Sequence, residues 1–113
     1  MAKVFIWLDD EENRDGWKYS HMQAAIAKLG LFDRYITCRT VEDVIAEIVH
    51  NWTDSFFISF DHDLGPGKDG YYLAKWLVEF EPHMLGYNVH SMNPVGRQNI
   101  TQLLDHYGVN RIQ

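Results

Sequence analysis

Segments of strand length, rich in apolar and β-branched residues, recur along the chain between longer stretches of mixed polarity. The first of them is almost continuously apolar and stops at Asp9. Short runs of this kind, bounded by polar or turn residues, are typical of strands that are buried on both faces. The pattern predicts four strands and the stub of a fifth, at residues 4–8, 34–38, 55–60, 87–90 and 109–112.

Between the predicted strands, apolar residues recur three or four positions apart, which is the spacing of one face of an α-helix. Thr40 with Asp43 resembles a capping box, and Asn93 followed by Pro94 is a typical helix start. Gly30 marks a helix end. The four predicted helices would face the core with Met22, Ile26 and Leu29, with Val41, Val44, Ile45 and Ile48, with Leu73, Trp76, Leu77 and Phe80, and with Ile100, Leu103, Leu104 and Tyr107.

Strands that alternate with helices require a parallel sheet with right-handed crossovers. Because the chain has 113 residues and no internal repeat or linker, we expect residues 1–113 to form one domain. The fold class that fits is α/β, a three-layer, flavodoxin-like, doubly wound parallel sheet with strand order 2-1-3-4 and a truncated strand 5. In this order strands 1, 3 and 4 are neighbours. Ligands of such sheets bind outside the carboxyl ends of the strands, where the strand order reverses.

Charge and composition narrow the function. The net charge of −6 argues against a general nucleic-acid coat, but it permits a small phosphate-containing ligand or an RNA end held by a few local donors. No apolar run approaches the roughly 20 residues of a membrane span, and the chain reaches Asp9 too soon for a signal peptide. With Cys38 as its one cysteine, the chain cannot form an internal disulfide, and we expect a cytoplasmic protein.

Two adjacent carboxylates, Asp9 and Asp10, follow strand 1. Such a pair suits a hard cation, Mg²⁺ or Mn²⁺, which takes one or two carboxylates together with water and phosphate oxygens. The alternative is a solvated acidic turn that continues through Glu11, Glu12 and Asp15. The position at the predicted change of strand order favours a metal site for the pair and a solvated turn for the three later residues.

Asp61, His62 and Asp63 follow strand 3. If the ends of strands 1 and 3 are adjacent, Asp61 adds a third carboxylate to the metal site of Asp9 and Asp10. Crowded carboxylates raise one another's pKa unless a cation offsets the repulsion, and negative neighbours favour the charged form of a histidine. Asp61 and His62 are therefore predicted to be catalytic, with His62 a general acid. The alternative is a strand-end turn in which Asp63 caps locally.

His90 and Ser91 follow strand 4, and Asn93 and Arg97 lie at the start of the last helix. Free N–H groups at a helix start bind phosphate, and an arginine can add a bidentate contact. Ser91, Asn93 and Arg97 are therefore predicted to bind phosphate. His90, on a neighbouring strand end, would form an acid–base couple with His62. The alternative for Ser91 and Asn93 is helix capping alone.

The remaining histidines and the tryptophans are expected to have structural roles. None of these histidines has metal-ligand spacing to another. We therefore assign to packing or to the surface the residues Trp7, Trp17, Trp76, His21, His50, His83 and His106.

The placement of Asp9 and Asp10 after strand 1, Asp61 after strand 3 and Ser91 after strand 4 resembles response-regulator receiver domains. The resemblance implies that the acidic pair binds Mg²⁺, that Asp61 accepts a phosphoryl group and that Ser91 signals the change. A receiver also has a lysine at the end of strand 5. This chain has no lysine after Lys75, so phosphoryl transfer is not expected.

Residues 8–10, 58–65 and 89–100 together resemble a divergent family, the cyclic-phosphate processing receiver domain, and the resemblance covers essentially the whole chain. It implies a receiver fold with added histidines that handles cyclic phosphates in RNA repair or in nucleotide-signal conflict systems, often linked to phages. Carried over by position, the implied site residues are Asp9, Asp10, Asp61, His62, His90, Ser91 and Arg97.

Three functions fit these residues. The first is a cyclic phosphodiesterase that opens an RNA 2′,3′-cyclic phosphate end or a cyclic nucleotide, with His62 and His90 as acid and base. The second is a degenerate receiver that acts as an interaction module. The third is a sponge that binds a cyclic nucleotide without cleaving it. The histidines and Arg97 favour the first and third functions, of which the phosphodiesterase is the prediction and the sponge its alternative, and the missing lysine weakens the second.

Overall fold

A computed structural model of the protein describes residues 1–11, 15–64 and 67–112. Glu12 and the side chain of Asp15, both assigned to an acidic turn, lie outside the described part of the chain. Four strands and four helices alternate in the predicted order. Their bounds are β1 Lys3–Leu8, α1 Asp15–Leu29, β2 Arg34–Cys38, α2 Val41–His50, β3 Ser55–Phe60, α3 Gly70–Phe80, β4 His83–Val89 and α4 Pro94–His106.

The strands form one parallel sheet in the order β2-β1-β3-β4, which confirms the predicted fold class. A short fifth segment pairs with β4 through a single parallel bridge between Tyr87 and Arg111. The Tyr87 amide donates to the Asn110 carbonyl, and the Ile112 amide donates to the Tyr87 carbonyl. This bridge is consistent with the predicted truncated strand 5.

Strand β4 begins at His83, four residues before the predicted start at Tyr87. Its pairing with β3 shifts between Phe56 and Phe57, whose partners are Met84 and Gly86. Leu85 is therefore skipped, and the alternation of side chains changes phase at that point. This break in the period explains why the first half of the strand had no clear sequence pattern.

Strands β1 and β3 turn alternate side chains to the two faces of the sheet. One face packs against α2, α3 and α4, and we call it the three-helix face. Its strand residues are Val4, Ile6, Leu8, Phe56, Ile58 and Phe60. The other face packs against α1, and we call it the α1 face. Its apolar strand residues are Phe5, Trp7 and Phe57.

Of the fifteen predicted inward residues of the helices, seven are buried and six are half-buried. The prediction is wrong for Phe80 and Tyr107, which are 51% and 59% exposed. Phe80 occupies the last position of α3 and Tyr107 follows the end of α4. The Phe80 ring packs on Trp76 instead, with centroids 5.0 Å apart. Helical spacing therefore identified the correct face but extended it past the point where each helix leaves the core.

The predicted helix caps are confirmed. The Thr40 hydroxyl accepts the Asp43 amide, and the Asn93 side-chain oxygen accepts the Gly96 amide. Gly30 has a φ of +81°, a left-handed conformation that glycine adopts without a steric penalty. Within the described residues, no helix is both long and apolar enough to cross a membrane.

Candidate active site at the strand ends

The ends of β1, β3 and β4 are held side by side by backbone hydrogen bonds that continue past the strands. The Asp61 amide donates to the Leu8 carbonyl at 3.0 Å, and the His90 amide donates to the Phe60 carbonyl at 2.8 Å. Side chains that follow these strands therefore meet at one edge of the sheet. This edge is the place where open α/β sheets bind their ligands.

Three polar side chains meet there although each is buried. Asp9 is 0%, Asp61 4% and His90 1% exposed. One carboxylate oxygen from each aspartate and one nitrogen of His90 all lie within 4.8 Å of one another. The His90 Nε2 is 3.3 Å from Asp9 Oδ2. Two buried carboxylates this close favour a cation or a proton between them. We call these three residues the strand-end cluster.

The orientation of His90 is fixed by a chain of buried hydrogen bonds. The Ser59 hydroxyl donates to the Asn88 side-chain oxygen, and the Ser59 oxygen lies 2.9 Å from His90 Nδ1. Because the single hydroxyl proton goes to Asn88, the Ser59 oxygen accepts the Nδ1 proton of His90. Nε2 is then the nitrogen that can take or give a proton on the side of Asp9.

Aromatic rings enclose His90. The Trp7 ring stacks on the imidazole with centroids 3.7 Å apart and planes 9° apart. Trp17 and His21, both on α1, approach it edge-on at 5.2 Å and 5.8 Å. These rings hold the imidazole in place and keep bulk water from its faces, which strengthens electrostatic interactions at the cluster.

Several of these neighbours are absent from the predicted site. Ser59 and Asn88 had no assigned role, and Trp7 and His21 were assigned to packing or the surface. A sequence signal for three of them exists, because Trp7, Ser59 and Asn88 each lie two positions before a cluster residue. Residues two apart in a strand share a face. His21 is on a helix and has no comparable signal.

The predicted metal set is only partly brought together. Asp9 and Asp61 are adjacent in the cluster, whereas Asp10 is exposed and is not part of the group. Successive residues at a strand end point to opposite sides, which separates Asp10 from Asp9. His90 completes the described group of possible ligands. A metal site remains a prediction.

His62 lies next to Asp61 in sequence but contacts the start of α4. Its Nδ1 is 2.8 Å from Asp63 Oδ1, and its Nε2 is 3.4 Å from Asp69 Oδ2. A Cβ at Gly96 would overlap the His62 ring, so glycine permits this approach. The hydrogen bond from His62 lowers the pKa of Asp63. His62 is not in the strand-end cluster, and the acid–base couple with His90 stays a prediction.

Ser91 and Asn93 organise the start of α4. The Ser91 hydroxyl oxygen accepts the Asn93 amide at 3.1 Å, and the Asn93 side chain accepts the Gly96 amide. Pro94 has no amide hydrogen. Among Pro94, Val95 and Gly96, the first three residues of the helix, Val95 is the one whose N–H group is not accepted by a capping side chain. The capping alternative therefore describes both side chains, and their phosphate contacts stay a prediction.

Arg97 is exposed and lies one turn into α4. It lines a cleft of 670 Å³ beside β4, together with His21, Asn88, Gln98, Thr101 and Arg111. Asn88 is hydrogen-bonded to Ser59, which contacts His90, and the His21 ring packs edge-on against His90. The cleft is therefore next to the cluster, and Arg97 contributes to the cleft.

The strand order and the position of the acidic residues define a receiver-type α/β domain. The model of one family, the cyclic-phosphate processing receiver domain, matches residues 4–106. The chain therefore belongs to the cyclic-phosphate processing receiver domain family, which confirms the resemblance found in the sequence and links the chain to cyclic-phosphate processing. Comparisons with curated proteins and with solved structures give no significant match.

Proposed function

We propose that the protein binds a cyclic phosphate at the strand-end cluster and opens its ring by hydrolysis. The observation that carries this proposal is the burial of Asp9, Asp61 and His90 within 4.8 Å of one another, at the strand ends of a chain from this family. Buried titratable groups gathered in this way are typical of catalytic sites.

Ring opening adds one water molecule. The water oxygen bonds to phosphorus, one ring P–O bond breaks, and the products are a phosphomonoester and a free hydroxyl group. A base must take a proton from the water, and an acid must give one to the leaving oxygen. His90 is the base in this scheme, because its Nδ1 proton is held by Ser59 and Nε2 accepts the proton.

His62 is the acid in the same scheme. Its two ring nitrogens lie near Asp63 and Asp69, and these carboxylates can orient the ring. The His62 side chain is 16% exposed, so a ligand at the rim of the cluster can reach it. To give its proton to that ligand, Nε2 has to turn from Asp69 toward Asp61.

Asp9 and Asp61 fit a hard divalent cation, Mg²⁺ or Mn²⁺, because such ions take one or two carboxylates plus water and phosphate oxygens. Bound there, the ion would neutralise charge on the phosphoryl oxygens. The two carboxylates hold it in this proposal, and His90 is kept for proton transfer. A metal that prefers imidazole, such as Zn²⁺, would occupy Nε2 and inhibit the reaction.

The test is turnover against a panel of cyclic mononucleotides, cyclic oligonucleotides and RNA ends with a 2′,3′-cyclic phosphate, in ¹⁸O-labelled water. Hydrolysis should place one labelled oxygen in the product phosphate. His90→Ala and His62→Ala should each lower turnover by ~10²–10⁴-fold, the usual contribution of one general acid or base. His83→Ala is the matched control, because His83 is exposed at the opposite end of β4. Full turnover in the double variant of His62 and His90 would refute the mechanism.

A second function, binding without cleavage, is favoured by one observation. The described contacts place His90 in the cluster and His62 outside it. A protein that binds a cyclic nucleotide tightly but gives no labelled product would be a sponge.

A further inference from the structure

The cleft beside β4 lies next to the proposed site but is not part of it. Asn88 lines the cleft and is hydrogen-bonded to Ser59, which contacts His90. His21 also lines the cleft, and its ring centroid is 5.8 Å from that of His90. Asn88 and His21 therefore lie between the strand-end cluster and the cleft, so a ligand that occupied both would pass beside these two side chains.

The cleft carries positive charge although the chain is acidic. Arg97 and Arg111 both line it. Arg111 Nη2 lies 3.5 Å from Asp105 Oδ2, and this carboxylate also accepts the Tyr87 hydroxyl. No carboxylate of the described residues pairs with Arg97. The guanidinium of Arg97 is thus available for an anion, and such a group contacts phosphate in a bidentate manner.

A buried donor in the cleft wall is left without a partner. Asn88 is 4% exposed, and its Nδ2 makes no hydrogen bond with the described residues. The Oδ1 end of the same amide accepts the Ser59 hydroxyl, and the residue lines the cleft. Buried donors are rarely left unsatisfied. A ligand oxygen in the cleft would complete this one.

We propose that the cleft binds a second phosphate group of the same ligand, with Arg97 on the phosphate and Asn88 on a neighbouring ligand oxygen. This inference rests on the proposed function, because the first phosphate is the cyclic one at the strand-end cluster. The ligand class is then a molecule with a cyclic phosphate and at least one more phosphate, such as an RNA end or a cyclic dinucleotide. A cyclic mononucleotide would leave the cleft empty.

The test compares four ligands by calorimetry on the whole protein. They are adenosine 2′,3′-cyclic phosphate, a dinucleotide that ends in the same cyclic phosphate, a cyclic dinucleotide, and a dinucleoside monophosphate with no cyclic group. The better ligand with two phosphates should bind at least about tenfold more tightly than the mononucleotide, as expected for one charge-assisted contact. Tighter binding of the dinucleotide would identify an RNA end, and tighter binding of the cyclic dinucleotide would identify a cyclic signal.

Arg97→Ala should lower the affinity for the ligand with two phosphates at least about tenfold more than the affinity for the mononucleotide, whereas Arg97→Lys should recover part of the difference. Lys75→Ala is the control, because Lys75 is exposed on α3 away from the cleft. The slope of log affinity against log salt should fall by about 0.7–1 in Arg97→Ala and should not change in Lys75→Ala.

The outcomes separate this inference from the proposed function. The second phosphate site would be overturned if the protein bound the mononucleotide and the ligands with two phosphates with equal affinity. It would also be overturned if Arg97→Ala lowered the affinity for both kinds of ligand equally. Either result would leave the proposed function standing. Binding of the dinucleoside monophosphate that depends on Arg97, without binding of any cyclic phosphate, would keep the cleft site and refute the proposed function.

Discussion

The two faces of the sheet are built from neighbouring residues of the same strands but have different compositions. The strand residues on the three-helix face are apolar from one end of the sheet to the other. The α1 face begins with Phe5 and Phe57 and becomes polar toward the carboxyl ends of the strands. Except for Ser91, every buried polar residue of the described chain is on this half of the α1 face, namely Asp9, Ser59, Asp61, Asn88 and His90.

This difference separates stability from function. Burying a charged group costs free energy unless the group is paired. The three-helix face shows that helices can cover the sheet without burying a charged strand residue. The polar half of the α1 face is therefore not explained by folding. Buried polar residues that do not help the chain to fold are expected at functional sites, and the rest of the fold compensates for their cost.

The largest effect on stability is expected at Phe60, which is fully buried on the three-helix face. Phe60→Ala should lower the free energy of unfolding by about 3–5 kcal/mol, because it removes a large side chain and leaves a cavity. Urea denaturation followed by tryptophan fluorescence measures this. Phe60→Leu is the milder control and should keep turnover unchanged. A loss of less than about 1 kcal/mol in Phe60→Ala would show that this face is not the main stabilising core.

The second-largest effect on stability is expected when a divalent cation binds the strand-end cluster. If Asp9 and Asp61 hold a cation, Mg²⁺ or Mn²⁺ should stabilise the fold by about 2.7 kcal/mol at a concentration about 100 times the Kd. Asp61→Asn should remove most of this gain, which thermal melts with and without the ion would measure. Asp63→Asn is the control, because Asp63 is exposed and outside the cluster. Identical melting temperatures with and without either ion would leave the cluster as a site without a metal.

A smaller loss of stability is expected at Ser59, which faces the polar half of the α1 face. Ser59→Ala should cost about 1–3 kcal/mol, because it leaves the Asn88 oxygen and His90 Nδ1 without their buried partner. Turnover should fall as well, because the imidazole loses its orientation. Ser55→Ala, at the start of the same strand, is the control. If Ser59→Ala kept full turnover, the proposed orientation of His90 would not matter for the reaction.

We expect that phosphoryl donors do not phosphorylate Asp61. A receiver would be labelled at its strand-3 aspartate by acetyl phosphate, but here no lysine follows Lys75 to offset the added charge. Incubation with acetyl phosphate and mass spectrometry should detect no acyl phosphate at Asp61. A hydroxylamine-labile label at Asp61 would contradict this expectation and support the interaction-module function.

Much of the fold follows from the sequence, because the strands are short apolar segments and the helices have a clear period with recognisable caps. The start of β4 did not follow, because the pairing skips Leu85 and breaks the alternation. Phe80 and Tyr107 were wrongly placed in the core for a different reason. Helical spacing gives the direction of a side chain but does not show where the neighbouring layer ends.

The location of the candidate site also follows from the sequence, because parallel strands bring their carboxyl ends to one edge. Asp9, Asp61 and His90 were predicted in this way. Adjacency in sequence was a poor guide to Asp10 and His62, because neighbouring residues leave a strand end in opposite directions, and this alternation could have been applied to the sequence. Ser59 and Asn88 could have been identified, because each lies two positions before a cluster residue on the same face of its strand, whereas His21 contributes through a contact between α1 and the sheet that the sequence does not show.

The central claim is that the polar half of the α1 face binds a cyclic phosphate. The most direct measurement is a titration of ¹⁵N-labelled protein with a dinucleotide that ends in a 2′,3′-cyclic phosphate, followed by heteronuclear NMR. We expect saturable shifts at Asp9, Asp61, Asn88 and His90 and at the indole N–H of Trp7, with little change at Ile6 and Ile58 on the three-helix face. Shifts confined to other surfaces, or none at millimolar ligand, would contradict it.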